Sequence, residues 1–332
     1  MRYPYLKWLV ALCLAIICSA AAAQLSGGVP QVLNRPVAPD RQPPRTTQTL
    51  YLTDMAYGEV FRLLGQRNTQ LLEFTLRRDQ VVETAELNLF FTPSPALLPR
   101  VSHLRVYLND ELMGVIPVDV EQPGARQQKS IALDPRVMTR FNRVRLEFVG
   151  HYTDVCQDES HSALWLDISR DTRIQLVQQM LPIANDLAFL PEPFFDTQDM
   201  TPQSIPFVFA AAPSRDELRA GAILSSYFGS LSRWRRAQLP VHYDALPNSH
   251  AVVFATNETR PHFLSGYPRV DGPTVDMVSH PDNSFLKMLL ILGRDNTDLI
   301  AAASALAIGH SLFRGQSVQV GEVRQLVPRK PY

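Results

Sequence analysis

The sequence predicts two folded modules of different class: a β-sandwich over residues 50–180, then a three-layer α/β module over residues 205–328. Three observations lead there. The first half is filled with short apolar runs of period two. The second half has unbroken apolar runs separated by helical stretches. Two proline-rich stretches, 24–49 and 181–204, read as linkers that set the modules apart.

The sandwich elements follow from alternation. Glu83 to Phe91 alternates toward its end, and Leu104, Val106 and Leu108 are separated by Arg105 and Tyr107. Phe141 to Val149 places Val144, Leu146 and Phe148 on one face and Arg143, Arg145 and Glu147 on the other. Leu164, Leu166 and Ile168 repeat the period. Successive side chains of a strand point to opposite faces, so these are half-buried antiparallel strands. Pro93-Ser94-Pro95, Asn109-Asp110, Pro123-Gly124 and Asp134-Pro135 punctuate them as turns. Phe61-Arg62-Leu63-Leu64-Gly65 is ambiguous between a strand and a short helical turn.

After residue 204 the period changes. Ile205 to Ala211, Val252-Val253-Phe254 and Met288 to Leu292 are continuous apolar runs, which suit a parallel sheet covered on both faces. Ser214-Arg215-Asp216-Glu217 is a capping box that opens a helix with Leu224, Tyr227, Phe228 and Leu231 on its apolar face. Arg233, Arg235 and Arg236 suit the negative end of that helix. A second helix starts near Asp295, carries Leu299, Ala302, Ala303, Leu306 and Phe313 on one side, and stops at Gly315.

The first 23 residues read as a secretory signal peptide. Arg2 and Lys7 precede an unbroken apolar run from Leu9 to Ile17, and Ala20 to Ala23 supply a small-residue exit. Its removal leaves 30 basic against 32 acidic side chains, a balance without the basic footprint of a nucleic-acid partner. From Gln24 onward no segment reaches the roughly 20 apolar residues of a membrane-spanning helix. Cys156 is then the lone cysteine, buried or awaiting a partner on another chain. The acidic side chains of Asp154, Asp158 and Glu159 around it disfavour a thiolate nucleophile.

No pattern here carries catalysis or a cofactor. The first strand-to-helix turn of the α/β module, Phe209 to Arg215, lacks both glycine-rich phosphate fingerprints, and Pro213 removes one amide. His151, His161 and Cys156 match no zinc spacing, and no carboxylate pair or serine elbow stands out. A non-enzyme is expected, with no catalytic, metal or cofactor residues. A sandwich can instead bind sugar by stacking aromatic rings on pyranose faces. The rings that could do so are Tyr107, Tyr152 and Trp165, with Tyr51 and Tyr57 beside them.

Four stretches together resemble a known family. They are Leu97 to Val115 (LLPRVSHLRVYLNDELMGV), Tyr152 to Ile168 (YTDVCQDESHSALWLDI), Leu190 to Asp196 (LPEPFFD) and Leu289 to Ala307 (LLILGRDNTDLIAAASALA). In this order they resemble the periplasmic component of bacterial cellulose synthase, a family labelled cyclic di-GMP-binding protein. The resemblance implies jelly-roll, carbohydrate-binding-like modules alternating with flavodoxin-like α/β modules in two pairs. It also implies a non-catalytic partner of the cellulose synthase catalytic subunit, assisting the nascent β-1,4-glucan across the periplasm. Its relatives are anchored to the inner membrane by a C-terminal helix. Because the sequence stops at Pro331-Tyr332 after one pair, the resemblance implies a truncated or split product.

Two rival readings stand beside it. One is the cyclic di-GMP-binding regulatory subunit of the family label. That nucleotide is cytosolic, though, and Arg233, Arg235 and Arg236 read more simply as a helix end. The other is a periplasmic glycan-active enzyme.

Overall fold

The computed structural model describes residues 43–56, 60–118, 123–233 and 237–321. The expected signal peptide and most of the first expected linker lie outside these residues, as do Tyr57, Arg235 and Arg236.

The first module holds ten strands: β1 (Arg45–Tyr51), β2 (Val60–Leu64), β3 (Arg67–Thr75), β4 (Gln80–Pro93), β5 (His103–Leu108), β6 (Glu111–Pro117), β7 (Gln127–Leu133), β8 (Phe141–Val149), β9 (Trp165–Ser169) and β10 (Arg173–Met180). One sheet runs β1-β10-β4-β9-β2, with β7 also paired to β4; the other runs β3-β8-β5-β6. Every pairing is antiparallel. The alternation read from the sequence sets the inward faces. Leu104, Val106, Leu108, Val144, Leu146, Phe148, Leu166 and Ile168 are all fully buried in one core between the sheets. Asn109 and Asp110 both take left-handed backbone angles, as a two-residue hairpin turn between β5 and β6 requires.

Two expectations change in this module. Phe61 to Leu64 belongs to a strand, β2, paired along β9; Gly65, with φ of 84°, ends it. The linker expected to reach residue 49 gives way to β1 at Arg45. β1 is an edge strand paired with β10, so its polar residues stay wet and only Leu50 is driven fully into the core.

The second module begins earlier than expected. The stretch expected as a linker, 181–204, is packed: Leu187, Leu190, Phe194 and Phe195 join the second core. The sheet is built from β11 (Phe207–Phe209), β12 (Val241–Tyr243), β13 (Ala251–Thr256), β14 (Thr274–Ser279), β15 (Lys287–Gly293) and β16 (Ser317–Gln319), in the order β12-β11-β13-β15-β14-β16. The first four strands in that order are mutually parallel, whereas β14 runs antiparallel to both β15 and β16.

Helices α1 (Arg215–Ser232) and α2 (Asn296–Gly309) start where the sequence places them, with Ser214 and Asp295 as their N-caps. α2 ends at Gly309 rather than at Gly315; a 3-10 turn, His310–Leu312, follows it, and Phe313 joins the second core from beyond the helix. Both helices pack into that core, with Phe207, Phe254, Met277 and Ile291 on one face of the sheet. The other face, with Val208, Val253 and Leu290, is covered by Leu246, Phe263, Leu264 and Tyr267 from non-helical chain and a short 3-10 turn. The expected three layers with helices on both sides are thus corrected to a sheet with helices on one side. The reason lies between β13 and β14, where Pro261, Gly266, Pro268, Gly272 and Pro273 deny a helix its amides and its entropy. Among the described residues no helix is long and apolar enough to cross a membrane.

The most densely bonded contact between the modules is one guanidinium. Arg77, between β3 and β4, donates from Nε and Nη2 to the two oxygens of Asp79 at 2.7 and 2.5 Å. Its Nη1 reaches Asp199 at 3.1 Å and Gln203 at 3.2 Å, and Nη2 reaches the Pro193 carbonyl at 3.0 Å. All five of its N–H groups are used inside the protein. Around it the Arg78 amide donates to Asp196, Arg140 faces Glu192, and the Thr75 hydroxyl donates to the Gln198 carbonyl.

Two outcomes follow from these contacts. A Cβ on Gly293 would sit 2.5 Å from the Asp298 Cβ and 2.7 Å from the Asp295 carbonyl oxygen, where β15 turns into α2. Gly293→Ala should therefore cost about 2 kcal/mol in overpacking, read as a lowered melting temperature; an unchanged melt would show that the turn yields freely. Arg77→Met strands Asp79, whose side chain is 3% exposed, and Asp199. It should lose about 3–5 kcal/mol in urea denaturation, with a large part recovered when both aspartates are also made asparagine. An R77M chain unfolding with the parent would show that the seam does not hang on this cluster.

Candidate functional site

The three rings singled out for sugar contact are not brought together. Tyr107 alternates with buried Leu104, Val106 and Leu108 and so projects from the outer face of the four-stranded sheet. Trp165 alternates with Leu164 and Leu166 and projects from the outer face of the six-stranded sheet, on the opposite side of the sandwich. Tyr152 lies at one end, in the loop between β8 and β9.

Each ring already has a partner on one face. The Arg145 guanidinium sits 3.8 Å from the Tyr107 centroid and is held there by Glu147 at 3.0 Å. Arg62 lies 5.5 Å from the Trp165 centroid and is paired to Asp167 at 2.6 Å. Tyr152 stacks on His161 at 4.3 Å, and its hydroxyl accepts the Asp158 amide. Tyr51 is exposed at the end of β1. Sequence reasoning passed over Phe90. It shares the outer face of the six-stranded sheet with Trp165 and lies beneath Arg126 and Arg173, at 5.1 and 5.3 Å. Its signal was a ring out of phase with inward Leu87, Leu89 and Phe91.

The carboxyl ends of the parallel strands are where an open α/β sheet usually takes a ligand. Here the helix N-termini at that edge are filled by the protein's own carboxylates. Glu217 accepts the Ser214 amide at 2.7 Å while Ser214 accepts the Glu217 amide, completing the capping box at α1. At α2, Asp295 accepts the amides of Thr297 and Asp298, and Asp298 takes the Arg294 amide and guanidinium. The hydrogen bonds from Arg294 hold the Asp298 carboxyl below its ordinary range.

Cys156 is exposed in the β8–β9 loop, and His151 and His161 do not join it in a metal cluster. Among the described residues no group of three or more His, Cys, Asp or Glu side chains could hold a metal ion.

A cavity with ligand-sized room lies at the other edge. A cleft of about 450 Å³ opens where the amino ends of β11, β13 and β15 face the sandwich. Thr46, Arg77, Gln80 and Met180 line it from the first module; Phe194, Ser204, Asn248, His250 and Leu286 are among those lining it from the second. Its charged lining residues, Arg77 and Asp199, are paired with each other. His250 accepts the Lys287 amide at Nδ1, which puts the imidazole proton on Nε2, and Nε2 is buried with no hydrogen-bond partner among the described residues. Burial first, then the charges of Arg77, Lys287 and His280, push this histidine down to about 3, so it is neutral near pH 7. Sequence reasoning gave no sign of this cleft, because its walls come from segments far apart in the chain.

Comparison with known proteins agrees with the two modules. Residues 45–180 match the family model for the first CBM domain of cellulose synthase BcsB, and residues 186–320 match its first FD domain. A cyclic di-GMP-binding protein of Salmonella typhimurium is 50% identical over 261 residues, 79% of this chain and 34% of that protein. One from Xanthomonas axonopodis pv. citri is 36% identical over 317 residues, 94% of this chain and 40% of that protein. Cellulose synthase 2 of Novacetimonas hansenii is 30% identical over 270 residues, 81% of this chain and 17% of that protein. The chain thus spans about a third of the length of the first of these relatives. Over residues 45–320 it belongs to the cellulose synthase BcsB family, as that family's first CBM domain followed by its first FD domain.

Proposed function

We propose that this chain is a non-catalytic part of a cellulose synthase complex. In this reading it works in the periplasm next to the catalytic subunit, where it assists the synthesis and export of β-1,4-glucan. The observation that carries this is the succession of two BcsB domains across residues 45–320, joined in the structure by the Arg77 cluster. The residues read as a signal peptide support placement outside the cytoplasm. Anchoring at the inner membrane, as the resemblance implies for intact relatives, belongs to the same proposal.

The relatives' printed name offers cyclic di-GMP as a ligand. The anion-binding features of an α/β module are spent on internal partners here: both helix N-termini hold carboxylates, and Arg77 has no N–H left. The accessory reading therefore ranks above the nucleotide one.

Removing the chain from its native host should reduce cellulose, measured as cellulase-released glucose, by at least tenfold, and supplying it in trans should restore the yield. Unchanged cellulose would refute the reading. Turnover of cello-oligosaccharides by the purified chain that one carboxylate substitution abolishes would instead favour a glycan-active enzyme.

A further inference from the structure

We propose that the cleft between the two modules binds a neutral, hydroxyl-rich chain, a short stretch of β-glucan. Naming glucan rests on the functional reading above; the neutral, hydroxyl-rich character comes from the walls. Four polar side chains on the walls, Thr46, Gln80, Ser204 and Asn248, have no hydrogen-bond partner among the described residues. Two of them are carboxamides, each carrying donors and an acceptor, and two are hydroxyls that serve as either. A sugar hydroxyl is likewise donor and acceptor at once, so such walls match it without regard to charge.

The charges in the cleft are already spoken for. Arg77 uses all five N–H groups on Asp79, Asp199, Gln203 and the Pro193 carbonyl. A phosphate or carboxylate entering would meet no available guanidinium and would face the Asp199 carboxylate. His250 adds a neutral donor: its Nε2–H is buried, with no acceptor among the described residues, in a residue lining the same cleft. A buried donor left unsatisfied is costly, and a ligand hydroxyl reached by a small shift of the ring would relieve that cost. Phe194, Met180 and Leu286 supply apolar surface for the C–H faces of a sugar ring. The volume of about 450 Å³ is within the range of small-molecule sites.

The test is calorimetric titration of the full chain with cellotetraose, and separately with cyclic di-GMP, at low and high salt. The proposal expects saturable cellotetraose binding that salt does not weaken. It also expects at least a fivefold loss in a Gln80→Ala/Asn248→Ala variant whose melting temperature is unchanged. Three results would overturn it: no saturable cellotetraose binding, binding that survives Q80A/N248A but falls with Trp165→Ala, or salt-sensitive cyclic di-GMP binding that Q80A/N248A abolishes. The cellulose yield of the host separates the levels. If titration fails while cellulose still depends on the chain, the cleft assignment alone is wrong. If that dependence fails as well, the functional reading falls with it.

Discussion

A guanidinium largely buried at the seam holds the two modules against each other. Arg77 is part of the sandwich by sequence, but three of its five hydrogen bonds cross to Asp199, Gln203 and Pro193 of the second module. Its side chain is only 13% exposed, so the charges are paired in a poorly solvated setting where an unmatched one would be expensive. That cost makes the arrangement close to all-or-none. A small rotation of one module against the other would break several charged hydrogen bonds together. The cleft lies at the same contact: Arg77 and Asp199 are among its lining residues, and its walls come from both sides of the seam.

The sandwich was legible because half-buried strands write their geometry into the sequence. With one face wet and one dry, Val144, Leu146 and Phe148 alternate with Arg143, Arg145 and Glu147, and the sheet follows. β1 was missed for the complementary reason. It is an edge strand on which Arg45, Thr46 and Thr47 are exposed, so its first residues look like linker. Residues 181–204 misled in another way. Their prolines and acids resemble a disordered segment, yet Asp196 accepts the Arg78 amide and Asp199 pairs with Arg77, partners more than 100 residues away. Local composition cannot display a pairing of that range.

The α/β module shows where sequence reasoning stops. Caps and apolar spacing located both helices, but neither says on which face of the sheet a helix lies. The face left to the chain between β13 and β14 is covered by loops because that segment is broken by proline and glycine. The sugar-contact candidates Tyr107, Tyr152 and Trp165 meet the same limit. Period two correctly turned Tyr107 and Trp165 outward. It could not reveal that they belong to different sheets, or that Arg145 and Arg62 already cover one face of each ring.

The polarity of the second sheet ties these points together. Open α/β sheets commonly present ligands to the carboxyl ends of their strands, where helix N-termini gather positive potential. In this chain that edge is closed by Glu217, Asp295 and Asp298, each carboxylate standing where an anion would otherwise sit. The amino edge is the one against which the sandwich is clamped, and it carries the cleft. Neither module encloses that space alone: the sandwich contributes Thr46 and Gln80, the sheet contributes Asn248 and His250. In a chain organised this way the cleft proposed to bind glucan exists only at the junction. On that proposal either module alone would present only half of the cleft, which gives the succession of the two domains in this chain a physical reason beside descent.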